Sequence, residues 1–134
     1  MGSAERDAGA RVLVVDAANV VGSVPDGWWR DRAGAARRLH DHLLSAPLPY
    51  DRIVLVVEGR ARDGVPEGVL PCEDVGTLTT VHAAASGDDE IVVQCRALAG
   101  EGASLTLATA DHGLIARVEP LGVRIVGPRS VREN

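Results

Sequence analysis

The sequence predicts a three-layer α/β sandwich around a five-stranded parallel sheet. Several apolar runs show no polar alternation, which is typical of strands buried on both faces of a sheet. Segments with helical spacing separate these runs, and strands that alternate with helices form parallel, doubly wound sheets. The expected strands cover residues 11–15, 53–57, 77–81, 105–110 and 123–126.

Apolar residues that recur at helical spacing predict the helices of the two outer layers. These helices are expected at residues 28–45, 86–98 and 112–119. The first contains Trp28 and Trp29, a pair that suits either base stacking or core packing. For Trp29, which falls on the apolar face of the expected helix, we predict core packing. The segment 59–76 has no periodicity and is expected to be a long connection.

The 134 residues are expected to form one domain at residues 11–128. A flexible tail at 1–10 and a polar tail at 129–134 are expected on either side. No apolar run reaches the roughly 18–20 residues of a membrane span, and no signal-peptide core is evident. The two cysteines fit neither a zinc spacing nor a disulfide framework. We therefore expect reduced thiols in a soluble, cytoplasmic protein.

The formal net charge is −5, and all fourteen basic residues are arginines. A chain with this charge lacks the general basic footprint of a nucleic-acid-binding protein. Any contact with nucleic acid must then come from local arginine patches and a bound cation. Arg60 and Arg62 follow the second predicted strand closely enough for contact with phosphate. The denser stretch from Arg30 to Arg38 is expected to be mainly a solvated helix face.

Three of the predicted strands are followed directly by an acidic residue, namely Asp16, Glu58 and Asp111. Carboxyl ends of parallel strands share one edge of the sheet, where ligands bind in open α/β folds. The acids should therefore converge if their strands are neighbours. The helix that opens with Asp88 and Asp89 begins at the same edge, because helices after strands run back across the sheet.

Such a cluster of carboxylates is costly, because like charges a few ångströms apart repel each other. A hard divalent cation such as Mg²⁺ or Mn²⁺ relieves the repulsion and prefers oxygen ligands. We expect Asp16, Asp88 and Asp111 to be the catalytic acids and to hold the metal. Asp89 is expected to act on a second metal or through a neighbouring ligand. The spacing of His and Cys does not indicate ligation by those residues.

Every one of these acids also has a structural interpretation as a turn or helix-capping residue. Their joint placement favours function over that interpretation. Three uncharged residues near the same edge either support the site or make local turns and caps: Asn19, Ser86 and Thr109. The role of Glu58 stays open, because a glutamate before Gly59 also suits a turn or a solvated rim.

Four segments, VVDAANV, VVEG, SGDDEIV and ATADHGL, resemble in order the motifs of NYN domains of the PIN-like ribonuclease superfamily. The resemblance spans about residues 11 to 127. Asp16, Asp88, Asp89 and Asp111 match acids of the family's motifs, and Asn19 matches the asparagine three residues after the first of them. It implies a five-stranded parallel sheet ordered 3-2-1-4-5, Mg²⁺ or Mn²⁺ in an acidic pocket, and hydrolysis of RNA. Glu58 replaces a common aspartate, and Ala17-Ala18 replaces a glycine-containing turn.

Our leading hypothesis is a metal-dependent endoribonuclease that prefers single-stranded RNA. One alternative is a phosphoesterase for small nucleotides or flap DNA, for which a closed pocket rather than a long basic groove is expected. Another is a catalytically decayed PIN-like module that binds RNA or acts as a scaffold. The sequence does not name the RNA or the oligomeric state, so a homodimer and a protein partner both stay open.

Overall fold

The computed structural model describes residues 9–132, in which strands and helices alternate. The strands are β1 (Arg11–Asp16), β2 (Arg52–Val57), β3 (Gly68–Pro71), β4 (Thr77–His82), β5 (Ser104–Ala108) and β6 (Arg124–Val126). The α-helices are α1 (Ala17–Gly22), α2 (Arg32–Ser45), α3 (Gly87–Gly100) and α4 (His112–Val118). Short 3₁₀ turns cover Trp28–Arg30, Gly59–Gly64, Glu119–Leu121 and Pro128–Val131.

The six strands form one mixed sheet in the order β3-β4-β2-β1-β5-β6. Five of them are parallel, and β3 pairs antiparallel with β4 at one edge. The sheet thus differs in strand count and order from the expected five-stranded parallel sheet, because it contains β3. All four residues of β3 are exposed, so its sequence lacks the apolar pattern that announces a buried strand.

Helices cover both faces of the sheet, as the unbroken apolar runs indicate. On one face, Leu13 and Val15 pack in a core with residues of α1 and α2. On the other, Val12 and Val14 pack with residues of α3 and α4. Alternate residues of β1 therefore enter different cores, which explains why the strand shows no polar alternation.

The first long helix begins later than the sequence predicts. Trp28–Arg30 forms a 3₁₀ turn, and α2 starts at Arg32 after Asp31, whose Oδ1 accepts a hydrogen bond from the Gly34 N–H at 2.9 Å. The prediction that Trp29 packs in the core was wrong, since it is 50% exposed. It precedes α2 and so does not share the apolar face of that helix, whereas Trp28 is partly buried against the core.

The C-terminal residues of the described chain pack on the domain. Val131 is buried in the same core as α1 and α2, and Arg132 donates hydrogen bonds to the carbonyls of Val20 and Val21 at 3.4 and 3.3 Å. Residues 1–8 of the expected N-terminal tail, with 133 and 134, lie outside the described residues. Among the helices between residues 9 and 132, none has the length and apolarity that crossing a bilayer requires.

Both cysteines are free thiols with roles in packing. Cys95 is fully buried on α3, and burial raises its pKa to about 11. Burial also raises the pKa of the partly exposed Cys72. Both groups thus stay protonated thiols near neutral pH, which makes them poor nucleophiles.

Candidate active site

Asp16 ends β1, while Glu58 and Asp111 follow β2 and β5. The strand order brings the three carboxylates to one edge of the sheet, because these three strands are consecutive neighbours. A cleft of about 370 Å³ opens there. Its lining residues are Asp16, Ala18, Asn19, Glu58, Ser86, Gly87, Asp88 and Asp111. The cleft therefore gathers four acids from four separate parts of the chain.

Asp16 is the most buried of these acids, with 5% of its surface exposed. Its Oδ1 caps α1 by accepting the Asn19 N–H at 3.3 Å, and its Oδ2 accepts the Thr109 hydroxyl at 2.9 Å. Burial is the main cause that raises the pKa of Asp16, while the hydrogen bonds from Thr109 and Asn19 lower it. Repulsion by Asp88 and Asp111 raises it further.

Thr109 and Asn19 fix the two sides of the cleft relative to each other. Besides donating to Asp16, the Thr109 hydroxyl accepts the Asp111 N–H at 3.2 Å. Oδ1 of Asn19 accepts the Ala110 N–H at 2.9 Å, which ties α1 to the segment after β5. Both residues therefore support the site by holding the acid-bearing segments in place.

Asp111 caps α4, since its Oδ1 accepts the Leu114 N–H at 3.1 Å. Asp16 and Asp111 are thus helix caps and cleft acids at once, so the structural and functional interpretations of these residues are compatible. Each capping bond occupies only part of the acceptor capacity of a carboxylate, which has about four lone-pair sites.

Asp88 lies in the first turn of α3 and lines the cleft, half-buried. Its carboxylate accepts no hydrogen bond within residues 9–132. Burial, followed by repulsion from Asp111 and Glu58, raises the pKa of Asp88. Of the cleft acids, Asp88 therefore has the most acceptor capacity left for a ligand.

Glu58 belongs to the cleft and also holds α3 in place. Its Oε2 accepts the Gly87 N–H at 3.0 Å. A Cβ at Gly87 would lie 2.7 Å from Oε1 of Glu58, so a side chain there would displace this carboxylate. Ser86 completes the helix start, because its hydroxyl caps α3 by accepting the Asp89 N–H at 3.1 Å.

Two residues that the sequence placed in the site have other partners. Asp89 does not line the cleft; its carboxylate forms an exposed ion pair with Arg117 at 2.9 Å. Arg62 donates hydrogen bonds to the carbonyls of Gly59 at 3.0 Å and Ala83 at 3.3 Å, which holds its guanidinium against the backbone. Arg60, in contrast, is exposed. It lines a second hollow, which adjoins the cleft.

The donor atoms of the cleft are chemically suited to a hard cation. Carboxylate, amide and hydroxyl oxygens line it, and neither His nor Cys does. In residues 9–132, no three acidic, His or Cys side chains are placed so that they could together hold a metal ion. Proteins often bind Mg²⁺ through only one or two carboxylates and several retained waters rather than through an all-protein cage.

No protein-family model matches the chain, and no curated protein matches its sequence. Among solved structures, the chain is similar to the crystal structure of Rae1 (YacP) from Bacillus subtilis, with a TM-score of 0.59. The two share 14% sequence identity, and the match covers 91% of this chain and 72% of Rae1. At this identity the similarity shows a shared α/β fold.

Proposed function

We propose that this chain is a metal-dependent ribonuclease whose acidic cleft uses Mg²⁺ or Mn²⁺ to hydrolyse RNA phosphodiester bonds. The observation that carries the proposal is the meeting of Asp16, Asp88 and Asp111 in one open cleft. Burial and mutual repulsion raise the pKa of the first two, and a cation relieves both costs. The motif resemblance to NYN domains supports the same class, and the α/β fold shared with Rae1 is consistent with it.

In this proposal, Asp88 and Asp111 hold the cation directly or through water. When bound, a divalent cation neutralises charge on a phosphodiester and lowers the pKa of water. Asp16, kept in place by Thr109, adds a third carboxylate to the cleft and so strengthens its attraction for a cation. Asn19 lines the cleft and keeps α1 at a fixed distance from the segment after β5.

The shape of the site favours a polymer over a small nucleotide. The acidic cleft adjoins a second hollow along shared walls formed by Ala18 and Glu58, and Arg60 lies beyond them. A substrate longer than one nucleotide can therefore lie across both. We propose single-stranded RNA in the cytoplasm as the substrate, with Arg60 rather than Arg62 available to bind phosphate.

Cleavage of a labelled single-stranded RNA tests this function. Wild-type protein should cut it with Mn²⁺ or Mg²⁺ and not with EDTA. Asp88→Asn should lower the rate by orders of magnitude, because it removes charge and an available ligand while leaving the capping bonds intact. Asp89→Asn is the matched control, since the adjacent carboxylate lies outside the cleft and should leave the rate nearly unchanged.

Parallel reactions with flap DNA and with small nucleotides separate the two enzyme hypotheses. If Asp88→Asn and wild type cut RNA equally fast, the activity does not come from this cleft. If wild type cuts none of these substrates with either metal, the protein is not the enzyme that we propose.

A further inference from the structure

An apolar hollow of about 310 Å³ lies beside the acidic cleft. The two share Ala18 and Glu58 as walls. Small apolar side chains and one aromatic ring form most of the remaining lining, contributed by Ala17, Val21, Trp28, Ala36 and Ala61. A volume of this size is at the lower end of the range of about 300–1,000 Å³ for small-ligand pockets. The hollow therefore suits one flat, largely apolar group.

Trp28 forms the aromatic wall of this hollow, and its position is well defined by neighbours. The Arg32 guanidinium carbon lies 5.2 Å from the centre of the Trp28 ring. Gly22 lies against the ring, since a Cβ there would be 3.7 Å from it. Trp29 meets Trp28 edge-on at 5.9 Å but is exposed and does not line the hollow.

A third hollow continues the series and is bounded by arginines. It shares Arg32 and Arg60 with the apolar hollow and adds Arg30 and the exposed Trp29. Two aspartates, Asp31 and Asp63, also line it, and Asp31 is already used as the cap of α2. Acidic, apolar and basic hollows thus follow one another along the surface of a protein whose net charge is −5.

We propose that the apolar hollow is a nucleobase subsite, which holds one unpaired base of single-stranded RNA next to the phosphodiester in the acidic cleft. Arg32 and Arg60 bind the backbone phosphates beyond that base. This inference rests on the proposed function and specifies its substrate: sites for single strands combine aromatic contacts to bases with positive charge along the backbone. A base in a duplex is stacked and paired, so it does not enter a hollow of this size.

Binding in EDTA tests the subsite without any cleavage. A short uridylate oligomer is compared with an oligomer of the same length made of abasic ribose phosphates, at low salt. Wild type should bind the uridylate oligomer at least about fivefold more tightly, because base contacts of this kind contribute about five- to 150-fold. Binding is measured by the change in tryptophan fluorescence and, independently, by titration calorimetry.

Two variants remove the subsite in different ways. Ala61→Met fills the hollow without touching the acidic cleft, and Trp28→Leu removes the ring while keeping apolar bulk against the core. Both should abolish the preference for the uridylate oligomer. Trp29→Leu removes a tryptophan that lines only the third hollow, so this variant should keep the preference if the base lies in the apolar hollow. Since Ala61→Met leaves both tryptophans in place, the test stands even if Trp28→Leu fails to fold.

Equal wild-type affinity for the two oligomers overturns the subsite, whether or not the protein cuts RNA. The subsite is also overturned if Ala61→Met keeps the preference for the uridylate oligomer, or if Trp29→Leu loses that preference as fully as Trp28→Leu does. Base-dependent binding that Ala61→Met abolishes, in a protein that cuts no RNA with metal, supports the subsite and contradicts only the proposed hydrolysis.

Discussion

Thr109 is the residue on which the geometry of the cleft depends most. Its buried hydroxyl donates to Asp16 and accepts from the backbone of Asp111, so it links two acids that are 95 positions apart in the chain. The hydrogen bond from this hydroxyl offsets part of the cost of burying the Asp16 carboxylate. Removing it should therefore affect stability even without metal or substrate.

We predict that Thr109→Val lowers the free energy of unfolding by about 1–3 kcal/mol, the usual cost of leaving a buried polar group without its partner. Thr106→Val is the matched control, since it is the same substitution on β5 at a buried threonine whose hydroxyl makes no hydrogen bond within the described chain. Urea unfolding at neutral pH measures both. Equal losses in the two variants would mean that the bond to Asp16 does not stabilise the fold.

Asp16 makes stability depend on pH in a defined direction. Its pKa is raised from 3.8, mainly by burial, so the folded protein holds this proton more tightly than the unfolded chain does. The resulting stabilisation is fully present below the unfolded pKa and is lost as pH rises through the raised folded pKa. At neutral pH the buried charge therefore opposes folding.

We expect Asp16→Asn to raise the melting temperature in EDTA at about pH 7 and to have a smaller effect at about pH 4. The amide keeps an oxygen for the cap and a polar group opposite Thr109. Melting curves at the two pH values measure this, with the exposed Asp63→Asn as a control. A larger gain at the lower pH would contradict the assigned sign.

Among the elements, the contact between the 3₁₀ turn Gly59–Gly64 and α2 sets the shape of the nucleobase subsite. The turn carries Arg60 and Ala61, and α2 carries Arg32. At the end of the turn, Gly64 packs directly on the backbone of Ala33, where an added Cβ would collide with the carbonyl. A glycine is therefore required here by close approach.

Gly64→Ala should lower the free energy of unfolding by about 1–3 kcal/mol, because neither backbone can move aside without disturbing the core. Gly100→Ala, at the end of α3, provides the comparison, since nothing lies within 4 Å of its added Cβ. That change should be neutral or stabilise by up to about 1 kcal/mol. Chemical unfolding distinguishes the two; a tolerated Gly64→Ala would contradict the close packing.

The sequence predicts those elements whose burial leaves a pattern. β1 and β2 are recognisable because both faces are covered and every buried position except the terminal Asp16 is apolar. β3 is not, since each of its residues is exposed. The short helix α1 also escapes prediction: with six residues, its stability comes from Asp16 and from packing rather than from periodicity.

Strand order and helix geometry together determine which acids meet in the cleft. Asp16 and Asp111 follow adjacent strands, a proximity that the sequence predicts only if those strands are neighbours. Asp88 and Asp89 are adjacent in sequence, yet only Asp88 lines the cleft, because successive residues on a helix face directions about 100° apart. The bond of Thr109 to Asp16 has no sequence signature, because it joins distant segments.

Calorimetric titration of metal-free protein with Mn²⁺ measures whether this acidic cleft binds a divalent cation. We predict saturable binding to wild type, at least about tenfold weaker binding to Asp88→Asn, and unchanged binding to Asp89→Asn, whose carboxylate pairs with Arg117. Absence of saturable binding to wild type, or equal weakening by the two substitutions, would mean that the cleft is not a cation site.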